Sequence, residues 1–264
     1  MLYPDISKLA IYHKIIDPAN PTIIFLHDSL GCIELWKDFP EKLATEIGYN
    51  FFIYDRMGYG KSCPFTYKQR PINYLDLEAD ILFKLIEHYK LKNIVLFGHS
   101  DGGTIALIAA SKFKNLINKI ITVGAHVFVE DVTINGIKNA ANSYKNTNLK
   151  EKLIKYHGSK TDDLFYAWIN TWTNDSFRNW NIVPLLKEIE CPVLIIQGCE
   201  DEYGTLKQVD KIYHSVNYSE ASIITGAKHS PHKEVPEKII AICKNFINKD
   251  FKEKIKKDTL LMFV

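Results

Sequence analysis

The stretch Asn93 to Ala110, NIVLFGHSDGGTIALIAA, decides the fold. Ile94 to Phe97 is a short apolar run that predicts a buried strand, and Ile105 to Ala110 is a near-continuous apolar run that predicts a buried helix. Between them stands Gly98-His99-Ser100-Asp101-Gly102, with Gly103 after it. The pattern G-x-S-x-G is common by itself. Between a strand and a helix it specifies a sharp turn that lifts the serine hydroxyl above the sheet edge. The same turn aims the first backbone N–H groups of the helix at whatever the hydroxyl attacks. Side chains at Gly98 and Gly102 are expected to collide with the neighbouring strand and helix.

Outward from this stretch, strands and helices alternate. Strands are expected at Ile11–Asp17, Thr22–His27, Asn50–Tyr54, Lys119–Val123, Pro192–Gly198 and Ala221–Thr225. Helices are expected at Glu34–Ile47, interrupted early by Pro40, and at Tyr74–Tyr89, Leu206–Val216 and Pro236–Ile247. Such alternation predicts an α/β fold with a mostly parallel sheet covered by helices on both faces. From His126 to Glu190 no buried strand appears. The segment is helical in character and rich in aromatic residues, and it sits between two strands of the sheet. It reads as a helical cap, 126–190, inserted within one domain, 1–264, and projecting over the strand ends where ligands bind in open α/β sheets.

Composition narrows the function classes. The formal net charge of +2 gives no electrostatic case for nucleic acid. No apolar run approaches the roughly 20 residues that cross a bilayer, and the N-terminus lacks a signal-peptide layout. The five cysteines are odd in number and scattered, which reads as reduced thiols in a cytoplasmic protein and not as a disulfide frame or zinc site. The tail, Asp250 to Val264, mixes lysines with acids and ends LLMFV. It reads as a solvated helix end packing on the body, or as a contact in a homodimer.

A serine nucleophile needs a base and an orienting acid, which in this arrangement follow in the order Ser, Asp/Glu, His. Gly198-Cys199-Glu200-Asp201-Glu202-Tyr203-Gly204 stands just past one expected strand, and Gly226-Ala227-Lys228-His229-Ser230-Pro231-His232 just past the next. With FLHDSLG and YDRMGYGKS near the N-terminus, these segments resemble an α/β-hydrolase fold enzyme of the serine, cap-bearing kind. The resemblance runs from residue 22 to about 240 and is specific for the superfamily, not for a substrate.

The resemblance implies Ser100 as nucleophile, His229 as general base and then acid, and Asp201 as the orienter. It implies an oxyanion hole from the backbone N–H groups of Asp101 and Ser29. The family usually has His-Gly where this chain has His27-Asp28, which brings a carboxylate near the oxyanion site. Glu200 and Glu202 compete with Asp201 as loop carboxylates, and His232 competes with His229. His-x-x-His without a third ligand is no metal site. Gly58 to Ser62 fails as a phosphate loop, because Asp55 stands where a glycine is required; Asp55 and Arg56 read instead as ties between the strand end and its neighbouring loops. His27 and His99 read as buried structural histidines. His126, Asp28, Trp168 and Trp172 are the pocket candidates, with loop packing the competing role for His126.

The function expected is cofactor-free cleavage of a small to medium apolar ester, a small-molecule substrate, through an acyl-enzyme. The same groups serve a thioester, a lactone or a C–C bond next to a ketone. A non-catalytic ligand receptor on this fold is the alternative of another class, and Asp28 is the feature that leans toward it.

Overall fold

Along the strand Ile94–His99, Val95 and Phe97 fall in one buried cluster, Ile94 and Leu96 in another. Side chains alternate across a strand, so both faces of this one are covered. The neighbouring Thr22–Leu26 repeats the split, with Ile23 and Phe25 on one side and Ile24 and Leu26 on the other. Two cores separated by a sheet follow directly from these runs.

The computed structural model describes residues 5–67, 69–251 and 262–263. In chain order the elements are β1 (Ile11–Lys14), β2 (Thr22–Leu26), α1 (Phe39–Ile47), β3 (Asn50–Tyr54), α2 (Tyr74–His88), β4 (Ile94–His99) and α3 (Asp101–Lys112). After β5 (Ile117–Val123) comes a helical insertion holding α4 (Asp131–Asn146), α5 (Leu149–His157), α6 (Thr161–Trp172) and α7 (Val183–Leu186). The sheet resumes with β6 (Val193–Gly198), α8 (Leu206–Ser215), β7 (Ser219–Ile224), α9 (Pro231–Glu234), α10 (Pro236–Ile247) and β8 (Met262–Phe263). The strand order is β1-β3-β2-β4-β5-β6-β7-β8, with β1 antiparallel to β3 and the other pairs parallel. Helices α1 and α10 cover one face, and α2, α3 and α8 the other.

Three expectations are corrected. The helix expected over Glu34–Ile47 is two pieces, a 3-10 turn at Ile33–Trp36 and α1. The break is at Lys37, whose φ of 55° leaves the helical region, and not at Pro40. Pro40 lies in the first turn of α1, where a missing N–H costs no hydrogen bond. The first strand stops at Lys14, short of Asp17. Beyond it, the backbone N–H groups of Ile16 and Asp17 donate to Asn50 Oδ1 at 2.7 and 3.1 Å, which turns the chain off the sheet edge. The tail does pack on the body at Met262–Phe263, but as a strand and not as a helix end, pairing in parallel with Ser222 and Ile223. The rest of that tail beyond Phe251 lies outside the described residues.

The five cysteines are unpaired. No helix among the described residues is long and apolar enough to cross a membrane.

Candidate active site

Ser100 sits between β4 and α3 with φ 54° and ψ −119°, a conformation that costs a non-glycine residue about 1–3 kcal/mol. Close packing enforces it. A Cβ on Gly102 would stand 1.9 Å from Leu26 O, and one on Gly98 would stand 2.2 Å from Gly102 O. The helix start is thus pressed onto the ends of β2 and β4. Ser100 N donates to Val123 O at 2.8 Å, which fixes the turn to β5. As the first turn of a helix requires, the Asp101 N–H has no backbone partner among the described residues.

Asp201 follows β6 and is held by its own loop. Its Oδ1 accepts from Tyr203 N at 2.8 Å and Gly204 N at 3.2 Å. Both carboxylate oxygens lie 2.9 Å from His229 Nδ1. Because a carboxylate only accepts, Nδ1 carries the proton and Nε2 is left as the basic atom. Burial disfavours the Asp201 carboxylate, but the imidazole more than offsets it and holds the pKa below the usual value. For His229, burial acts downward, and Asp201 with the more distant Asp28 and Glu202 more than offsets it, so the pKa lies above the usual 6.5.

The competing groups do not pair with the His229 ring. Glu202 Oε2 accepts from the His229 backbone N–H at 3.2 Å, not from the ring. Glu200 is exposed. His232 is buried against Trp36 and His99 at centroid distances of 5.1 and 4.5 Å, and its ring nitrogens have no hydrogen-bond partner among the described residues.

Asp28 lines the cavity, but its carboxylate turns back from it. Oδ1 accepts from Leu30 N at 3.2 Å, and Oδ2 lies 3.2 Å from His99 Nδ1 and 3.8 Å from Lys233 Nζ. Burial would raise its pKa, but Lys233 and His99 together hold it well below the usual carboxylate range. The other nitrogen of His99 donates to the His229 carbonyl at 2.9 Å, so this buried ring ties the loop after β2 to the loop bearing His229.

One cavity of about 200 Å³ gathers Ser100, Asp101, Ser29, Asp28, His229 and His126 with Trp168 and Trp172 of the insertion. Ser100 and His229 both line it. His126 Nε2 donates to Tyr203 O at 3.0 Å, so it both lines the cavity and braces the loop of Asp201. Trp172 Nε1 donates to Tyr74 Oη at 3.0 Å, and Tyr74 donates in turn to Asp101 Oδ2 at 3.1 Å. A larger cavity of about 490 Å³ lies on the opposite face of α6, against Phe65, Arg70 and Tyr166. It contains none of Ser100, Asp201 and His229, so chemistry and not size selects the smaller one.

Sequence reasoning missed Tyr203, whose ring packs 4.9 Å from that of His229, and Gly124. A Cβ on Gly124 would meet His229 Cε1 at 2.9 Å and Nδ1 at 3.0 Å, and its φ is 58°. The available signal is a glycine just past β5, on the sheet edge shared by the other site loops. Gly124→Ala is expected to push the imidazole out of place and lower kcat about 10²-fold with KM little changed. Steady-state kinetics with a circular-dichroism check of folding tests this; wild-type kcat would contradict it.

Comparison with known proteins follows the same lines. The profile described as alpha/beta hydrolase fold matches residues 21–156. The human serine hydrolase BPHL is 27% identical over 257 residues, covering 92% of this chain and 84% of that protein. A putative esterase/lipase of Haemophilus influenzae is 24% identical over 265 residues, covering 90% of this chain and 88% of its own. Among solved structures, one from a study of carboxylesterases of Nitrososphaera gargenis superposes with a TM-score of 0.76 at 17% identity, covering 93% of this chain and 97% of that one. At that identity the likeness is one of fold.

Proposed function

Because this chain belongs to the alpha/beta-hydrolase fold family, we propose that it is a serine hydrolase that cleaves small to medium carboxylic esters through an acyl-enzyme. The observation that carries this reading is that His229, paired with Asp201 at 2.9 Å, lines the same cavity as Ser100. His229 Nε2 takes the Ser100 proton and the alkoxide attacks the ester carbonyl. The N–H groups of Asp101 and Ser29 receive the developing oxyanion. His229 returns the proton to the leaving alcohol, and water then cleaves the acyl-enzyme by the same steps in reverse order. The chemistry draws on side chains, two backbone N–H groups and water.

Substrate size follows from the cavity. About 200 Å³ walled by Ile137, Trp168 and Trp172 supports a compact apolar acyl or alcohol group over a long chain. The named functions of BPHL and of the Haemophilus protein, a serine hydrolase and a putative esterase/lipase, point the same way. The receptor alternative leaned on the Asp28 charge, and its pairing with His99 and Lys233 weakens that support.

A series of p-nitrophenyl esters tests the reading. The highest kcat/KM is expected between acetate and hexanoate, with a steep fall by palmitate. No turnover of any ester, together with no covalent labelling by a fluorophosphonate, would sink it. Thioesters, lactones and 1,3-diketones in the same screen distinguish the other bonds this constellation serves.

A further inference from the structure

Three donors converge on one carbonyl oxygen beneath the cavity. Asp28 O accepts from Arg56 Nη2 at 2.7 Å, from His27 Nδ1 at 2.8 Å and from Gly31 N at 3.2 Å. The His27 tautomer follows from its second contact. The Arg56 backbone N–H donates to His27 Nε2 at 3.1 Å, so that nitrogen holds a lone pair and the proton sits on Nδ1, facing Asp28 O. Burial and the nearby Arg56 charge push the His27 pKa well below its usual value, which keeps this neutral form. Arg56 is itself buried, its side chain 2% exposed, and lies 4.7 Å from the Tyr59 ring centre. Its Nη1 reaches Asp101 Oδ2 at 3.4 Å.

The Asp28 carbonyl and the Ser29 N–H belong to one peptide unit. None of the described peptide bonds is cis, and in a trans unit the C=O and N–H point in opposite directions. Drawing the carbonyl into the body of the protein therefore turns the Ser29 N–H away from it, toward the cavity that Ser29 lines. No acceptor among the described residues takes that N–H.

We propose that Arg56 and His27 are positioning residues that lock the Asp28–Ser29 peptide and so aim the Ser29 N–H as the second oxyanion donor. The proposal rests on the serine-hydrolase reading above. Arg56 has a further part in it. One planar guanidinium bonds the peptide that bears one donor and the side chain of Asp101, whose backbone bears the other. The spacing of the two donors is thereby fixed by a single rigid group.

Arg56→Lys keeps a positive charge beside Asp101 but loses the planar fork, and His27→Phe keeps a ring but loses the Nδ1 donor. In the full chain each is expected to lower kcat on a short p-nitrophenyl ester about 10–10²-fold, with KM within roughly twofold of wild type. Affinity for a trifluoromethyl ketone, whose adduct places an oxyanion, is expected to fall by the same factor as kcat/KM. Affinity for the corresponding methyl ketone should stay unchanged.

Ser29→Pro isolates the donor itself. Ser29 is the second residue of the turn closed by Gly31 N and Asp28 O, where proline is accepted; it removes the N–H together with the side-chain hydroxyl, and Ser29→Ala, which keeps the N–H, controls for the hydroxyl. Arg56→Lys should then cost little more when added to Ser29→Pro. Equal losses of Arg56→Lys in both backgrounds would overturn the proposal, as would parallel losses of affinity for the two ketones. Should one substitution fail to fold, the ketone comparison on the other two decides. Full activity in Ser29→Pro would overturn the donor assignment while leaving the hydrolase reading intact. A wild type that turns over no ester would remove both.

Discussion

Ser100→Ala is expected to lower kcat on p-nitrophenyl esters by about 10⁶-fold while leaving the protein folded. The loss is large because the other hydroxyls lining the cavity, those of Ser29, Thr133 and Ser230, are not on the strand-to-helix turn that carries Ser100 at the head of α3. On the proposed mechanism His229 Nε2 and the two N–H groups act while the hydroxyl adds to the carbonyl, so without that hydroxyl they have no step to assist. Substrate affinity should change little, since the cavity walls come from Ile137, Trp168, Trp172 and Tyr203. Stability offers an independent check on the turn. Alanine keeps the strained φ of 54°, so Ser100→Ala should melt near wild type. Ser100→Gly relieves the strain and should melt higher, by about 1 kcal/mol of stability. Residual activity within tenfold of wild type in either variant would contradict the role given to Ser100.

Asp201→Asn is expected to cost about 10⁴-fold in kcat, by a different route. An amide in place of the carboxylate donates to Nδ1 and forces the imidazole proton to Nε2, where the base should be. The pH profile separates this from simple damage. On the proposed mechanism His229 must be neutral to act, and its pKa lies above 6.5 because Asp201, with Asp28 and Glu202, stabilises the cation more than burial disfavours it. The acid limb of kcat/KM should therefore have its midpoint above 6.5, with activity rising as pH rises through it. Without that carboxylate only the lesser pull of Asp28 and Glu202 opposes burial, and the limb should move to lower pH. An unmoved limb in Asp201→Asn would contradict the pairing.

Much of this was legible in the chain because each site loop ends a buried strand. Gly98 to Gly102, Gly198 to Gly204 and Gly226 to His232 are polar, glycine-bearing segments directly after apolar runs, so a parallel sheet brings them to one edge. The direction a side chain takes was not legible. Asp28 reads as a charge near the oxyanion site, and only the fold shows that His99 and Lys233 draw it aside. The insertion hides the same information. Its aromatics share helical spacing, yet Trp168 and Trp172 reach the cavity while Phe165 stacks on Tyr144 at 3.7 Å and Tyr166 is exposed. Arg56 shows the limit most clearly. Its residue type and its place after β3 suggest a tie between loops, but not that the tie ends on the carbonyl of the Ser29 peptide.

The central claim is that Ser100 is the nucleophile activated by His229. Its most direct test is mass spectrometry of the peptide carrying Ser100 after treatment with a fluorophosphonate. The expected result is one adduct, on Ser100, formed in wild type and lost in Ser100→Ala and His229→Ala. An adduct on another residue, or ester turnover that persists in a fully unlabelled protein, would contradict it.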